Sequence, residues 1–459
     1  MSVFSLSNLK KTWYYLQKNG IRNAVWAVLE RIGQEQEVYT WQEPDEKTLS
    51  FQREHSASLR ISIVVPAYRT KKEHLEAMLN SVSRQSYPHW ELIVADAGGT
   101  AESVQAWAKK NGICLREAAD ASNLAEWKDQ SIVLCTLSEN KGISANTNAG
   151  IELAAGDAVG LLDHDDLLTA NALWEMAGCL EKEKKRGKQK LVLFSDEDKC
   201  DGAASRFYEP NFKPDFDGEL LLTNNYICHF TVIETAFLKE LKLRSGFDGA
   251  QDYDLMLRAY AAGGQFVHVP KVLYHWRCHE ASTASNPQSK RYAYEAGQRA
   301  LEDYCLRKGW KATVSGLKHL GFYREDYEDS VFCQRPEIGI WAKPLPGGRD
   351  VFGIRHPKGF LVSGLYENDG SMRYAGLRKG YSGPMHRAAL QQSAPAADLR
   401  SMEVCSALKE RYAQTIAELK EACQGLPTAA QETKILQKSM EFCKEATASG
   451  YGILWDPQA

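Results

Sequence analysis

Several familiar patterns are missing from these 459 residues, and each absence excludes something. The eleven cysteines lie scattered and odd in number, with no C-x-x-C pair and no Cys/His cluster at zinc spacing. That excludes a zinc ribbon and argues against a disulfide framework; reduced thiols in a cytosolic compartment fit best. No G-x-x-x-x-G-K loop is present, so a phosphate-gripping P-loop is not expected. No stretch reaches the roughly 18 to 20 consecutive apolar residues of a membrane span, and Met1 is not followed by a basic segment, an apolar core and a small-residue cleavage site. A cytoplasmic chain that is neither secreted nor membrane-spanning is expected. Charge of one sign is lacking too: 56 basic residues face 59 acidic ones, a formal net charge of -3, which makes nucleic acid a poor partner. There is no short-period repeat and no low-complexity tract.

What is present is enough for two or three globular domains: 44% of residues are apolar and 10% aromatic. In the first 33 residues, Leu6, Leu9, Trp13 and Leu16, then Val25, Leu29 and Ile32, recur at helical spacing. Lys10, Lys11, Lys18 and Arg22 all precede the first acid, Glu30. This basic amphipathic segment, 1–35, reads either as a helix lying on an anionic membrane surface or as one packed on the protein's own core or a partner subunit. Residues 36–60, with Trp41, Pro44 and a run of charges, read as an irregular linker.

From residue 61 the pattern becomes alternating. Ile61 to Val65 is a β-branched run stopped by Pro66, and Glu73 to Gln85 carries Leu75, Met78, Leu79 and Val82 at helical spacing. Strand Glu91 to Ala95, helix Glu102 to Lys110, strand Ser131 to Thr136, helix Ser144 to Ala155 and strand Ala158 to Leu162 follow. A helix from Ala170 to about Lys185 and a strand from Leu191 to Phe194 come next. Such alternation predicts a parallel sheet with helices on both faces, and a ligand beyond the carboxyl ends of its strands. Past residue 200 the chain turns to dense polar and aromatic clusters, then to a helix from about Asp252 to Ala262 and strand-like Phe266 to Val269 and Val272 to Arg277.

Two strand ends carry chemistry. Asp163, His164, Asp165 and Asp166 follow a buried strand, and three carboxylates so close repel one another unless a cation lies between them. Oxygen ligands favour Mg²⁺ or Mn²⁺, which bridge carboxylates and a diphosphate; a solvated acidic turn or a helix cap is the alternative. Just upstream, the segment Asn140 to Gly156 offers Gly142 and Gly150 for close backbone approach and Asn146 and Asn148 at a helix start, where an ordinary capped helix is an equal reading.

Taken together, ISIVVPAY (Ile61 to Tyr68), SVSRQSYPHWELIVADAG (Ser81 to Gly98), NKGISANTNAG (Asn140 to Gly150) and LLDHDD (Leu161 to Asp166) closely resemble family 2 glycosyltransferases, whose fold is called GT-A. The likeness continues through FSDEDK (Phe194 to Lys199), FKPDF, NNYICH, GAQDYDLMLR (Gly249 to Arg258) and VPKVLYHWR (Val269 to Arg277), roughly half the chain in order. The resemblance implies that Pro66, Ala67 and Tyr68 surround the nucleotide base and ribose, with Asp96 meeting the base. Asn140, Gly142, Asn148 and Arg277 would line the same nucleotide-sugar. Asp163 and Asp165 match the family's D-x-D motif, Asp165 as the favoured metal ligand and Asp163 nearer the ribose or sugar, with His275 as a further ligand or a core residue. The family's Glu-Asp pair corresponds to Gln251 and Asp252, so Asp252 would be the general base, with Asp254 its rival and a helix-capping role its alternative. Asp196, Glu197 and Gln251 would face the acceptor, although a solvated turn suits 196–198 equally. The chain departs from the family at Ala97, where a second acid is common, and at Asn146–Thr147, where Ala-Arg is common.

The expected architecture is therefore α/β: a GT-A catalytic domain over 61–315 with a mostly parallel central sheet, and a smaller α+β module over 316–459. In that module Gly364 to His386 and Ala446 to Pro457 resemble part of a second, degenerate transferase domain, with Glu367, Asp369 and Arg373 as glycan contacts or plain surface, and two helices flank Gly425 and Pro427. The expected function is inverting, Mn²⁺- or Mg²⁺-dependent transfer from a UDP-, dTDP- or GDP-sugar to a growing, lipid-linked surface glycan, at the inner face of a bacterial membrane. The resemblance is to rhamnosyltransferase-like members, with galactose and glucose also open as donor sugars. The alternatives are a metal-dependent nucleotidyltransferase and a non-catalytic glycan-binding scaffold. The sequence sets no oligomeric state.

Overall fold

A computed structural model describes residues 39–119, 127–278, 291–316, 321–328, 331–336, 338–342, 364–366, 372–373, 402–449 and 452–455. The amphipathic segment 1–35, together with Glu367 and Asp369, lies outside the described residues.

The centre is a ten-stranded sheet. Its first half is built as the apolar runs dictate: β1 (Ile61–Ala67) is buried along nearly its whole length because it has a parallel neighbour on each side, β2 (Trp90–Asp96) and β5 (Ala158–Leu161). Beyond β2 come β4 (Ser131–Thr136) and β3 (Cys114–Glu117), also parallel. Alternate side chains serve opposite faces. Ile63 and Val65 join the core under α2 (Lys72–Ser83) and α5 (Ala172–Lys185), whose buried stripes are Leu75, Met78, Leu79 and Val82, and Leu173, Met176 and Leu180. Val64 joins the second core with Ile151 of α4 (Ile143–Leu153) and with α8 (Gln251–Ala261) and α9 (Arg291–Arg307). The α4 helix lies so close to β1 that a Cβ on Gly150 would stand 2.7 Å from Cγ1 of Val64.

The second half supplies the antiparallel minority of this mostly parallel sheet. Strand β9 (Thr231–Glu234) is wedged antiparallel between β5 and β7 (Leu191–Asp201), and β10 (Gln265–Cys278) then runs parallel to β7. The short β6 (Leu167–Leu168) pairs antiparallel with β10, and β8 (Phe207–Asn211) antiparallel with β7. The strand expected to stop at Phe194 continues through the acidic run to Asp201, since Asp196 and Asp198 find partners within the sheet. Phe266–Val269 and Val272–Arg277 are one irregular strand rather than two.

The stretch read as a linker is also structured. Asp45 caps α1 (Glu46–Glu54) by accepting from the backbone N–H of Thr48 at 2.7 Å, and Leu49 and Gln52 are buried. Gln52 accepts from Ser86 Oγ at 2.7 Å, and Glu43 from the Ala170 backbone N–H at 2.9 Å. The segment is thus fastened to the domain built on the ten-stranded sheet. Toward the C-terminus, a five-stranded sheet is described beside helices α11 (Lys409–Cys423) and α12 (Thr428–Ala448), which flank Gly425 and Pro427 as the sequence suggested. A small core of Met402, Leu419, Ile435 and Phe442 holds that part together.

Candidate functional site

The carboxyl ends of β1, β2, β5 and β7, the N-terminus of α8 and the distal half of β10 gather around the DHDD turn. Asp163 stands two residues beyond the end of β5, and Asp165 and Asp166 follow. Burial raises the pKa of Asp163, and the charges of Asp165 and Asp252 push it the same way while His229 opposes them. Residues 163, 165, 229 and 252 are therefore neighbours in one electrostatic field. Asp166 is fully buried, and burial raises its pKa well above the usual carboxylate range, with Asp165 and Asp163 adding to the effect. It accepts from Tyr274 OH at 2.5 Å and from the Arg277 backbone N–H at 2.7 Å. Asp166 thus ties the turn to β10 and is not presented to a ligand.

Arg277 is largely spent on the same turn. Its Nε donates to the Asp165 carbonyl and Nη1 to the Gly202 carbonyl at 2.7 Å, which leaves Nη2 buried without a partner among the described residues. That single orphaned donor is what Arg277 can offer a diphosphate. His275 departs from its expected place. Its Nδ1 pairs with Asp198 Oδ1, and its ring packs against Trp41, edge to face at 5.0 Å, and against Phe207 at 4.2 Å. Among the described residues no three of His, Cys, Asp and Glu stand close enough together to hold an ion. The three-ligand set Asp163, Asp165 and His275 is therefore not assembled, because Asp198 and the aromatic cage hold the imidazole. The Asp163–Asp165 pair still suits Mg²⁺ or Mn²⁺, which are held by one or two carboxylates with phosphate and water oxygens filling the remaining positions.

The two candidate bases differ in their partners. Asp254 is 1% exposed and locked between Arg244 and Arg258, at 3.1 and 2.9 Å from their Nε atoms. Asp252 is half-buried at the start of α8. It accepts from its neighbour's backbone N–H (Tyr253) at 2.8 Å through Oδ1 and from Cys228 Sγ at 2.7 Å through Oδ2. Of the two acids, Asp252 is the one turned toward Asp163. Gln251 accepts from the Gly249 backbone N–H at 2.8 Å.

Where the nucleotide is expected, Tyr68 is 39% exposed just past the end of β1, with its ring alongside Gly98, whose added Cβ would touch it at 3.5 Å. Pro66 and Ala67 form the floor behind it, and Ala97 and Arg69 stitch the β1 and β2 ends together through backbone bonds of 2.8 and 3.0 Å. Asp96 is buried, and its carboxylate accepts from the backbone N–H groups of Gly98, Thr100 and Ala101 at 2.9 to 3.2 Å. It shapes the loop entering α3 (Ala101–Asn111). Asn140 accepts from Gly142 N at 3.1 Å and Asn146 Nδ2 at 2.8 Å. Gly142 has φ +93, and a Cβ there would stand 2.3 Å from Asp248 Oδ2, which helps explain the residue choice. Asn148, expected at the nucleotide, instead spends both ends of its amide on the backbone of Leu243, at 2.8 and 2.9 Å. It pins α4 to the loop before α8.

The acceptor-side assignments shift as well. Asp196 accepts from Lys213 N and pairs with His268 Nε2, both at 2.9 Å, inside the sheet. Glu197 accepts from His229 N and lies 3.5 Å from Lys213 Nζ. Both are buried within β7 rather than in a solvated turn. Residues with no assigned role in the sequence reading supply much of the surrounding structure: Cys228, His229, Lys213, Tyr39 and Trp41. The quoted cluster NNYICH contained two of them, but only the fold shows which acids they face.

An α/β sheet with its carboxylates gathered beyond the strand ends is the architecture of a nucleotide-diphospho-sugar transferase domain of GT-A type. Residues 62–241 match the family described as Glycosyl transferase family 2. It is 36% identical over 255 residues to the uncharacterized protein y4gI of Sinorhizobium fredii, covering 55% of this chain and 26% of that protein. It is 34% identical over 256 residues to the O-antigen biosynthesis protein RfbC of Myxococcus xanthus, covering 56% and 19%. With the amylovoran biosynthesis glycosyltransferase AmsB of Erwinia amylovora it shares 28% identity, covering 47% and 70%. The chain thus spans about a quarter or less of the length of the first two relatives. The solved structure of Staphylococcus aureus TarS 1–349 with UDP aligns over 54% of this chain and 66% of that one, at a TM-score of 0.39 and 18% identity.

Proposed function

We propose that this protein is an inverting, metal-dependent glycosyltransferase that moves a sugar from a nucleotide-sugar onto a growing, lipid-linked glycan in bacterial surface polysaccharide assembly. The observation that carries the proposal is the convergence of the D-x-D pair just beyond β5 with Asp252 on α8, three acids facing one space. The names of RfbC and AmsB support polysaccharide assembly as the setting. In this reading Tyr68 stacks on the base, Pro66 and Ala67 bound the ribose, and Arg277 Nη2 meets a diphosphate oxygen. Asp165, with Asp163 beside it, would hold Mn²⁺ or Mg²⁺, which when bound neutralises charge on the departing diphosphate. Asp252 accepts the proton of the acceptor hydroxyl as that oxygen attacks the anomeric carbon from the side opposite the nucleotide. A single displacement needs only one such carboxylate and inverts the anomeric configuration. UDP-, dTDP- and GDP-sugars are the candidate donors, and residues 316–459 are assigned to acceptor binding or assembly as a degenerate second module.

Thermal stabilisation by a panel of these nucleotide-sugars, with and without Mn²⁺, identifies the donor; NMR of the product then reads its configuration. Asp165→Ala is expected to remove the Mn²⁺-dependent shift without unfolding the protein. Full activity in that variant, or in excess chelator, or a product of retained configuration, would overturn the corresponding part of the proposal.

A further inference from the structure

Segment 227–229 has no role in the reading above, yet its backbone is gripped by a buried ion pair. Lys213 is 1% exposed, and its ammonium donates to the Ile227 carbonyl at 2.9 Å and to the His229 carbonyl at 2.5 Å. Its partner Glu197 accepts from the His229 backbone N–H and is itself fixed by Asn211 Nδ2 at 3.2 Å. A buried ammonium and carboxylate spent on three backbone groups of Ile227 and His229, the two residues flanking Cys228, make a rigid clamp. The clamp sets the position of Cys228, whose thiol donates to Asp252 Oδ2 at 2.7 Å, while the Tyr253 backbone N–H holds Oδ1 at 2.8 Å. Across the segment, the His229 ring stacks on Tyr274 at 4.8 Å, and the Tyr274 hydroxyl bonds Asp166. The same few residues therefore connect the D-x-D turn to the carboxylate on α8.

We infer that Cys228 is a positioning residue for the reaction: its thiol, held by the Lys213–Glu197 clamp, fixes the rotation of the Asp252 carboxylate so that a lone pair meets the acceptor hydroxyl. The inference rests on Asp252 being the base. A thiol suits the task because it is a weak donor. It orients the carboxylate while withdrawing less basicity than a hydroxyl would, and each carboxylate oxygen keeps a second lone pair for the proton it receives. Burial, with the Asp252 and Glu197 charges behind it, raises the thiol's pKa well above normal, so the sulfur stays protonated as a donor.

The test is a double-mutant cycle on the full chain, with turnover read as released nucleoside diphosphate from whichever of the UDP-, dTDP- or GDP-sugars stabilises the protein with Mn²⁺. Cys228→Ala should lower kcat by about 10- to 100-fold, the cost of a misplaced catalytic group, and leave the donor KM unchanged. Cys228→Ser, which restores a donor of similar size, should recover most of the loss. In an Asp252→Asn background, Cys228→Ala should cause no further loss, because the group it orients no longer acts as a base. Should the alanine variant not fold, Cys228→Val fills the same space without a donor. Wild-type kcat in Cys228→Ala, or the same fold-loss in both backgrounds, overturns the inference while leaving Asp252 as base. Near-normal turnover in Asp252→Asn alone overturns the underlying reading instead.

Discussion

Two acids two residues apart on α8 are expected to fail in opposite ways when each loses its charge. Asp252→Asn keeps the size of the side chain and an oxygen for the Tyr253 N–H, and Asp252 is half-buried with no salt-bridge partner among the described residues. Folding stability should move by no more than about 0.5 kcal/mol. Turnover should drop by about 10² to 10⁴, the usual worth of general-base help, or about 3 to 5 kcal/mol of barrier. Asp254→Asn removes the anion shared by Arg244 and Arg258, where the Arg258 side chain is only 10% exposed. Breaking such a pair costs about 3 to 5 kcal/mol. The low end applies here, since Arg244 is 28% exposed and keeps Asp303 at 2.6 Å. About 3 kcal/mol corresponds to a fall in Tm of roughly 6 to 12 °C for a domain of this size. Activity per folded molecule should stay near normal. Thermal melts and turnover, measured on both variants below the lower Tm, separate the two. A stable but inactive Asp254→Asn beside an active Asp252→Asn would refute both the base assignment and the ion-pair reasoning.

Tyr68→Ala should weaken binding of the stabilising nucleotide by about 10-fold, since stacking on an aromatic ring is worth ~1 to 3 kcal/mol per base; calorimetry showing an unchanged Kd would remove Tyr68 from the base site. Gly142→Ala places a methyl 2.3 Å from Asp248 Oδ2 at φ +93 and disturbs the 3.3 Å bond from Ser144 N to Asp248; it should destabilise by about 1 to 3 kcal/mol, visible as a lower denaturant midpoint. Burial pushes the Cys200 and Cys305 thiols up to about 12. A folded-state pKa above the unfolded one means that stability is fully present below pH ~8.5 and is lost as pH rises toward 12, by about 1.4 kcal/mol per unit for each thiol. Denaturant midpoints between pH 9 and 10 should therefore fall less steeply in a Cys200→Ala, Cys305→Ala double variant, and an unchanged slope would contradict that assignment.

The sheet's parallel half was legible because β1, β2, β4 and β5 are apolar runs of β-branched residues, each followed by a helix with a clean stripe. Strand β3 was missed for a physical reason: its sequence, CLRE, is half charged, and only the fold shows that Arg116 is buried against Glu91 Oε2 at 2.8 Å. The full length of β7 was hidden in the same way, because DED inside a strand reads as a turn until His268, Lys213, Tyr39 and His275 are seen beside it. Among the candidate site residues, Asp163, Asp165 and Asp252 stand in short motifs next to strong elements, and the fold brings their charges together. Asn148, Asp96, Glu197 and Asp196 have the residue types of ligand contacts, but their hydrogen bonds go to the protein. Whether a polar side chain faces a ligand or its own backbone depends on contacts across about 95 residues of chain for Asn148 and Leu243, which local pattern does not encode.

Tyr39 donates to Asp198 Oδ2 at 2.7 Å, and Trp41 stands edge-on to His275 at 5.0 Å, so two residues that precede the matched family domain help to wall one side of the acidic centre. A chimera joined at residue 61 would import the nucleotide-binding strands of a relative and leave the His275 cage open to solvent. Exchange of modules between members of this family should therefore succeed only when the seam lies upstream of Tyr39, so that the segment and the imidazole it covers are inherited together.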